Sequence, residues 1–170
     1  MRPEETSLKP MNFARKTLVA LCMSILVPAS AMAATAGDVM KPIRQFIDAF
    51  NNGDTKAASA AYAAGEITIV DEFAPYRWTG PRALQEWFAE YDKHAQRTGV
   101  TGGHVTYSAP TRTEIDGDRA YVIVPAIYTY NEHDKHMAEE AQVVLVLHAE
   151  TGGWKISSWT WTGVKPHPAQ

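Results

Sequence analysis

The apolar residues that follow position 38 recur with the period of a helix. Side chains three or four residues apart form one apolar face over 39–50: Val39, Ile43, Phe46, Ile47 and Phe50. This spacing predicts an amphipathic helix, and Asn51-Asn52-Gly53 ends it. Asp54 suits the cap of a second, alanine-rich helix, which is predicted over Thr55 to Ala64.

A third helical pattern begins at Pro81, a residue favoured in the first turn of a helix. Its apolar stripe consists of Leu84, Trp87, Phe88 and Tyr91, and the helix is predicted to end by Gly99. Between the second and third helices, the segments Glu66 to Phe73 and Tyr76 to Trp78 are predicted to form a short hairpin.

Apolar and polar residues then alternate with a period of two, which is typical of strands. Four strands are predicted, over residues 104–114, 119–131, 136–149 and 154–163. Asp116-Gly117 and Thr151-Gly152-Gly153 are turn signals between them. Helices followed by antiparallel strands indicate an α+β fold, in which the helices cover one face of the sheet.

The first 33 residues have the composition of a signal peptide. Arg15 and Lys16 precede the apolar run 18–27, and Ala31-Met32-Ala33 matches a small-x-small cleavage site. We predict cleavage after Ala33 and therefore a periplasmic or secreted protein. The run is shorter than the roughly 20 apolar residues that span a bilayer, so no membrane attachment is expected after cleavage.

Three further boundaries follow from composition. Residues 1–10 are polar and acidic, so Met11 is an alternative start of the signal peptide. Residues 34–40 are predicted to be a linker and 41–164 the folded domain. Two prolines fall in the last six residues, 165–170, which are predicted to be a flexible tail.

Composition and charge exclude several classes of function. The single cysteine, Cys22, lies in the predicted signal peptide, so the mature chain has no thiol for a disulfide, a thiolate metal site or a nucleophile. The chain has 16 Lys and Arg and 19 Asp and Glu, of which four basic and two acidic residues precede position 34, leaving a net charge of −5 beyond it. This balance argues against nucleic acid as a partner. His133 and His136 flank a predicted turn and lack a third ligand, so neither a metal nor another cofactor is expected.

The order of elements and three motifs together resemble a known family. The motifs are Gly53-Asp54 after the first helix, VDEFAPYRWTG over 70–80 and WKISSWTWTG over 154–163. Over 41–164 the chain resembles the SnoaL-like domains of the nuclear transport factor 2-like superfamily. The resemblance implies a cone, in which a strongly curved antiparallel sheet wraps around the N-terminal helices and encloses a mostly apolar pocket. Members include ketosteroid isomerases, polyketide cyclases, dehydratases and domains that only bind or dimerise, so the activity stays open.

Asp71 is the first candidate catalytic residue. In ketosteroid isomerases the catalytic aspartate lies nine residues before the glycine that precedes the third helix, and Asp71 stands nine before Gly80. The resemblance implies a carboxylate base that moves a proton next to a carbonyl group. The two hydrogen-bond donors of that enzyme class are absent, since Phe46 and Val143 fall at their positions. The alternative is a turn aspartate that binds backbone N–H groups.

Two other carboxylates follow from strand alternation. Glu72 is predicted to point away from Asp71, towards solvent. Glu139 lies on a strand face that is otherwise apolar, and a carboxylate there requires a partner. It is a candidate second acid, or it pairs with Arg77 or Lys135, or it reaches solvent at the end of the strand.

A set of large apolar residues is predicted to line the pocket and to bind a ligand: Phe46, Phe50, Phe88, Tyr121, Ile127, Trp159 and Trp161. Aromatic walls suit a flat apolar or aromatic molecule. The alternative is that these rings fill the cone as a dry core.

Two classes of function therefore remain open from sequence. The first is a pocket protein for a small apolar or aromatic molecule that acts as a cofactor-free isomerase, cyclase or dehydratase, with Asp71 as base and Glu139 as acid. The second is a non-catalytic ligand-binding or homodimerisation module. It would use the outer sheet face, where the following apolar residues are predicted to lie: Val122, Val124, Tyr128, Tyr130, Val144 and Val146.

Overall fold

The structure, a computed structural model, describes residues 38–169 and shows the predicted α+β fold with a curved, open sheet. The predicted signal peptide and most of the linker lie outside the described residues. Cleavage after Ala33 and the periplasmic or secreted localisation therefore stay predictions. Among residues 38–169, no helix has both the length and the apolar character that crossing a membrane requires.

Three helices precede most of the sheet: α1 (Met40–Asn51), α2 (Thr55–Ser59) and α3 (Ala83–Thr98). Asp54 caps α2 by accepting a hydrogen bond from Ala57 N, and Gly99 ends α3 in the left-handed conformation. The second helix is shorter than predicted. It ends at Ser59 because the next residues join the sheet, where Ala63 N donates to Ile156 O at 2.9 Å.

Eight strands form one sheet: β1 (Ile67–Val70), β2 (Arg77–Gly80), β3 (Val100–Tyr107), β4 (Arg112–Asp116), β5 (Arg119–Glu132), β6 (Lys135–Glu150), β7 (Gly153–Gly163) and β8 (His167–Pro168). Their order is β2-β1-β7-β6-β5-β3, with β4 also beside β5 and β8 also beside β6. All pairs are antiparallel except β1 with β7, which run parallel. The sheet is therefore mixed at the point where the hairpin joins it.

The prediction of a single strand over 104–114 was wrong, because parts of two strands, β3 and β4, occupy this region. Pro110 has no N–H to give to a ladder and falls between β3 and β4. Pairing with β5 resumes on either side, where Ser108 N donates to Pro125 O and Thr111 N to Ile123 O.

The flexible tail predicted over 165–170 is also wrong for the described residues. His167 and Pro168 pair with Ala138 and Met137 of β6 as β8. The His167 imidazole lies 2.8 Å from a carboxylate oxygen of Glu140. The tail thus extends the sheet next to the pocket.

The inner face of β5 is the opposite of the one predicted. Val122 and Val124 are fully buried and Tyr130 is nearly so, whereas the alternate residues Tyr121 and Ile127 face outwards. Residues directly opposite each other in an antiparallel pair share a face. Val124 is opposite Val143 of β6 and Tyr128 is opposite Glu139, which are both inward positions. Of the predicted outer face, only Val144 and Val146 remain there, half-buried.

The core lies between the concave side of the sheet and helices α1 and α3. Its central side chains are each at most 1% exposed: Ile43 of α1, Leu84 of α3, Ile69 of β1 and Leu145 of β6. Burying side chains of this size typically stabilises a fold by about 1.5–3 kcal/mol each. This packing holds the helices over the sheet and leaves space beside them.

Candidate active site

A cavity of about 370 Å³ lies between α1, α3 and the concave sheet. Its walls are mostly aromatic and aliphatic: Ile43, Phe46, Ile47, Phe50, Phe73, Trp87, Tyr91, Val100, Val105, Tyr128, Tyr130, Val143, Leu145, Trp159, Trp161 and Pro166. Asp71, Glu72, His94 and Glu132 supply its charged or titratable groups. Of the lining residues, Phe46, Trp87 and Trp159 are buried, whereas Glu72 is exposed. The size and lining suit a small organic molecule.

Asp71 enters the cavity from the end of β1. The hairpin that follows is closed by Asp71 N donating to Tyr76 O at 3.1 Å, which fixes the backbone under the carboxylate. Trp87 Nε1 donates to Oδ2 at 2.7 Å and Glu72 N donates to Oδ1 at 2.8 Å. Burial raises the pKa of Asp71 to about 6, against the lowering effect of the Trp87 hydrogen bond. Asp71 therefore combines the local backbone bond of a turn aspartate with a place on the cavity wall.

One face of α3 supplies three further cavity residues, at positions i, i+4 and i+7. They are Trp87, Tyr91 and His94. The His94 ring stacks on Phe73 with centroids 5.1 Å apart, and burial lowers the pKa of His94. None of the three was predicted as a site residue. The stripe that predicted the helix does contain Trp87 and Tyr91, so the signal was present but indicated packing.

A pair of tyrosine hydroxyls lies on the cavity wall between α3 and β5. Tyr91 Oη and Tyr128 Oη are 2.6 Å apart. Burial raises the pKa of both tyrosines, so both are protonated near neutral pH. Space for the pair comes from Gly103 of β3, because a Cβ there would lie 2.6 Å from each hydroxyl oxygen. Two tyrosine donors are thus present at positions unrelated to Phe46 and Val143.

Glu139 is fully buried and does not line the cavity, so the alternative in which it reaches solvent is wrong. Its partner is Trp161, whose Nε1 donates to Oε1 at 2.5 Å, and not Arg77 or Lys135. Its Oε2 has no hydrogen-bond partner among the described residues. Gly163 makes this arrangement possible, because a Cβ there would overlap Oε1.

Glu72 borders the cavity, so the prediction that it points to the other face from Asp71 is wrong, whereas its predicted exposure to solvent is confirmed. It follows the end of β1, where strand alternation no longer determines the direction of the side chain. Burial and the neighbouring carboxyl of Glu139 raise the pKa of Glu72 to about 8. The residue is nevertheless exposed as a whole, so water screens part of this effect.

The predicted ligand-binding residues divide into two groups. Phe46, Phe50, Trp159 and Trp161 line the cavity. Phe88 instead packs edge-on against Trp87 with ring centroids 4.9 Å apart. Tyr121 and Ile127 lie on the outer face of β5, because its alternate residues face the core, and Ile127 is 41% exposed. The rings surround an open space and do not fill it.

The fold and the cavity define a pocket protein with a curved α+β sheet. The model of the SnoaL-like domain matches residues 39–161, and the chain belongs to this family. A search with the sequence found no match among curated proteins.

Solved structures show the same fold at low sequence identity. The hexachlorocyclohexane dehydrochlorinase LinA-type3 from Novosphingobium barchaimii superposes with a TM-score of 0.67 at 11% identity, over 80% of this chain and 90% of that chain. A ketosteroid isomerase-like protein from Erwinia carotovora gives a TM-score of 0.59 at 17% identity, over 75% and 95% respectively. A Kribbella flavida protein gives 0.62 at 14% identity, over 76% and 90%. These similarities concern the fold.

Proposed function

We propose that the protein catalyses cofactor-free proton transfer on a small apolar or aromatic molecule, with Asp71 as the general base. The observation that carries this proposal is the half-buried Asp71 carboxylate, held 2.7 Å from Trp87 Nε1 on the wall of an aromatic cavity of about 370 Å³. A carboxylate that two donors fix in place is oriented before the substrate arrives.

The pKa of Asp71 supports this role. A base is most effective when its pKa lies near the working pH, because it is then both ionised and a strong proton acceptor. An aspartate with the ordinary pKa of 3.8 is too weak a base, whereas burial raises the pKa of Asp71 to about 6. The aromatic walls exclude water from the carboxylate and so increase its basicity further when a substrate fills the cavity.

The tyrosine pair supplies a means to stabilise the negative charge that proton removal creates. Tyr91 and Tyr128 are both protonated, and one hydroxyl can donate to the other while the second O–H is directed at the substrate. One such donor typically contributes about 3 kcal/mol to the transition state. We assign Glu139 no contact with the substrate, because it is fully buried outside the cavity lining.

The fold neighbours are consistent with this class of reaction. One is named a dehydrochlorinase and another ketosteroid isomerase-like. Dehydrochlorination and ketosteroid isomerisation both require removal of a proton from carbon. The proposal transfers this shared step to the present chain, and no particular substrate.

The Kemp elimination of 5-nitrobenzisoxazole tests the proposal without knowledge of the substrate. A base removes the ring C–H proton, the N–O bond breaks and 2-cyano-4-nitrophenolate is released, which is followed by its colour. We expect the purified protein to accelerate this reaction beyond free acetate, and Asp71→Asn to lower the rate at least about 100-fold.

The matched control is Asp48→Asn, which changes an exposed aspartate of α1. It should keep the full rate. Circular dichroism and the melting temperature of Asp71→Asn show whether the fold is retained. A folded Asp71→Asn protein with undiminished activity would contradict the role of Asp71 and favour the non-catalytic binding module instead.

A further inference from the structure

The titratable groups that line the cavity are strongly biased towards acids. Asp71, Glu72 and Glu132 border it, and none of the described lining residues is a lysine or an arginine. The one basic group, His94, has a pKa that burial lowers, so its imidazole is neutral near pH 7. A ligand that enters this cavity therefore meets carboxyl groups, and no lysine or arginine of the lining is there to balance their charge when they ionise.

A second and independent feature is the buried carboxyl of Glu139. It lies on the inner side of β6 and is 0% exposed; its Oε1 accepts from Trp161 Nε1, its Oε2 has no N–H donor among the described residues, and the carboxyl of Glu72 is its neighbour. While Glu72 holds its proton, the two carboxyls can share a hydrogen bond, but once Glu72 is ionised the buried Glu139 faces a second negative charge, which is costly. A positive charge close to Glu72 would offset this cost.

Aromatic rings surround the same region. Tyr128 stacks on Tyr130 with centroids 4.9 Å apart, and Trp161 meets Tyr128 edge-on at 6.4 Å. Ring faces attract cations, and the attraction increases where water is excluded. No three His, Cys, Asp or Glu side chains among residues 38–169 are grouped to ligate a single metal ion. The chemistry therefore suits an organic cation better than an inorganic one.

We propose that the ligand of this cavity carries a positively charged nitrogen, either a protonated amine or a quaternary ammonium, beside Glu72, Glu132 and the rings of Tyr130 and Trp161. Its apolar part extends towards Asp71. This inference rests on the proposed function, since the cation would position the substrate of that same base.

Binding of such a cation is coupled to a proton. Three titratable groups act on Glu72: Asp71 of the same segment, Glu139 of β6 and Tyr130 of β5. Glu132 and His94 also border the cavity. Burial and then the neighbouring carboxyls of Glu139 and Asp71 raise the pKa of Glu72 to about 8, so Glu72 keeps its proton at lower pH. A cation favours the ionised form, so its affinity should increase as pH rises from 6 to 8.5 and the proton is lost.

Two probes of equal shape test this inference by isothermal titration calorimetry. They are 4-(trimethylammonio)benzyl alcohol, which has a positively charged nitrogen, and 4-tert-butylbenzyl alcohol, which has a neutral carbon in its place. Neither compound titrates between pH 6 and 8.5. We expect the ammonium compound to bind the purified protein at least about 10-fold more tightly at pH 8.5. The difference should shrink at pH 6.

Glu72→Gln should remove most of this preference, which is measured as the ratio of the affinities for the two probes. Glu139→Gln keeps an acceptor for Trp161 and should act in the same direction, and Glu114→Gln on exposed β4 is the matched control. Equal or weaker binding of the ammonium probe, or no binding of it at all, would overturn the inference. The Kemp elimination, which uses a neutral substrate, reports on Asp71 separately, so the two proposals can fail independently.

Discussion

Asp71 shows how one residue can satisfy two interpretations at once. From sequence it was either a turn residue or a base, and its two oxygens divide these roles. Oδ1 accepts the backbone N–H of Glu72, as a turn aspartate does, and Oδ2 accepts the indole of Trp87 inside the cavity. The turn bond orients the carboxylate that the cavity makes basic.

The pH dependence of Kemp elimination should report the pKa of Asp71. The base must be ionised, so kcat/KM should rise through about pH 6 and level off above it. The Trp87 hydrogen bond lowers this pKa, so Trp87→Phe should move the midpoint to higher pH. Trp154→Phe is the control, because the buried Trp154 indole has no hydrogen-bond partner among the described residues and does not line the cavity. An unmoved midpoint in Trp87→Phe would show that the indole does not act on the carboxylate.

Glu72 should make the protein less stable at high pH. Its pKa rises from 4.5 to about 8 on folding, so the unfolded chain releases the proton first and stability falls as pH increases between these values. Melting temperatures at pH 5 and 8.5 should therefore differ less in Glu72→Gln than in the wild type. If Glu72→Gln and the control Glu114→Gln respond identically to pH, Glu72 does not titrate as described.

At the scale of elements, periodicity predicted which segments are helices and strands but not always which side faces the cavity. In β6 only one face is strongly apolar, so Glu139, Val143 and Leu145 were placed correctly on the inner side. In β5 both faces carry large apolar residues, with Tyr121 and Ile127 alternating with Val122 and Tyr128. A period of two cannot choose between such faces. The choice comes from pairing with β6, which is tertiary information.

The cavity itself could not be predicted from periodicity, for a related reason. An apolar stripe such as that of α3 indicates burial, and burial against a dry core or beside an open space leaves the same pattern. Trp87, Tyr91 and Tyr128 were therefore missed as site residues, although each lies on a predicted helix or strand. The resemblance to the SnoaL-like family supplied the pocket, and Asp71 was found through it.

The pairing of β6 with β7 brings the Glu139 carboxylate against Gly163, where a larger residue has no room. Gly163→Ala should destabilise the protein by about 1–3 kcal/mol, because the new methyl overlaps Glu139 Oε1. In the background of Glu139→Ala the same substitution should cost clearly less. Urea denaturation of the wild type, the two single variants and the double variant measures the difference in the free energy of unfolding. Equal costs in both backgrounds would mean that the glycine is required for another reason.

At the scale of the whole molecule, the outer sheet face keeps the homodimer hypothesis open. Ile127 is 41% exposed there, and Val144 and Val146 of β6 are half-buried. Apolar residues on an open sheet face are typical of an interface between copies. We expect sedimentation velocity to show a dimer that Ile127→Glu weakens. The control Thr113→Glu changes an exposed residue of β4. A wild-type monomer at all accessible concentrations would dismiss the hypothesis.

Gly103 has a consequence for tracing this site through evolution. The absence of a side chain there gives room to the hydroxyls of Tyr91 and Tyr128, which come from a helix and a strand 37 positions apart. The three positions are therefore expected to change together among related proteins. A relative with alanine in place of this glycine should have lost at least one of the two tyrosines, and the triplet offers a simple mark for sorting SnoaL-like sequences by the chemistry of their pockets.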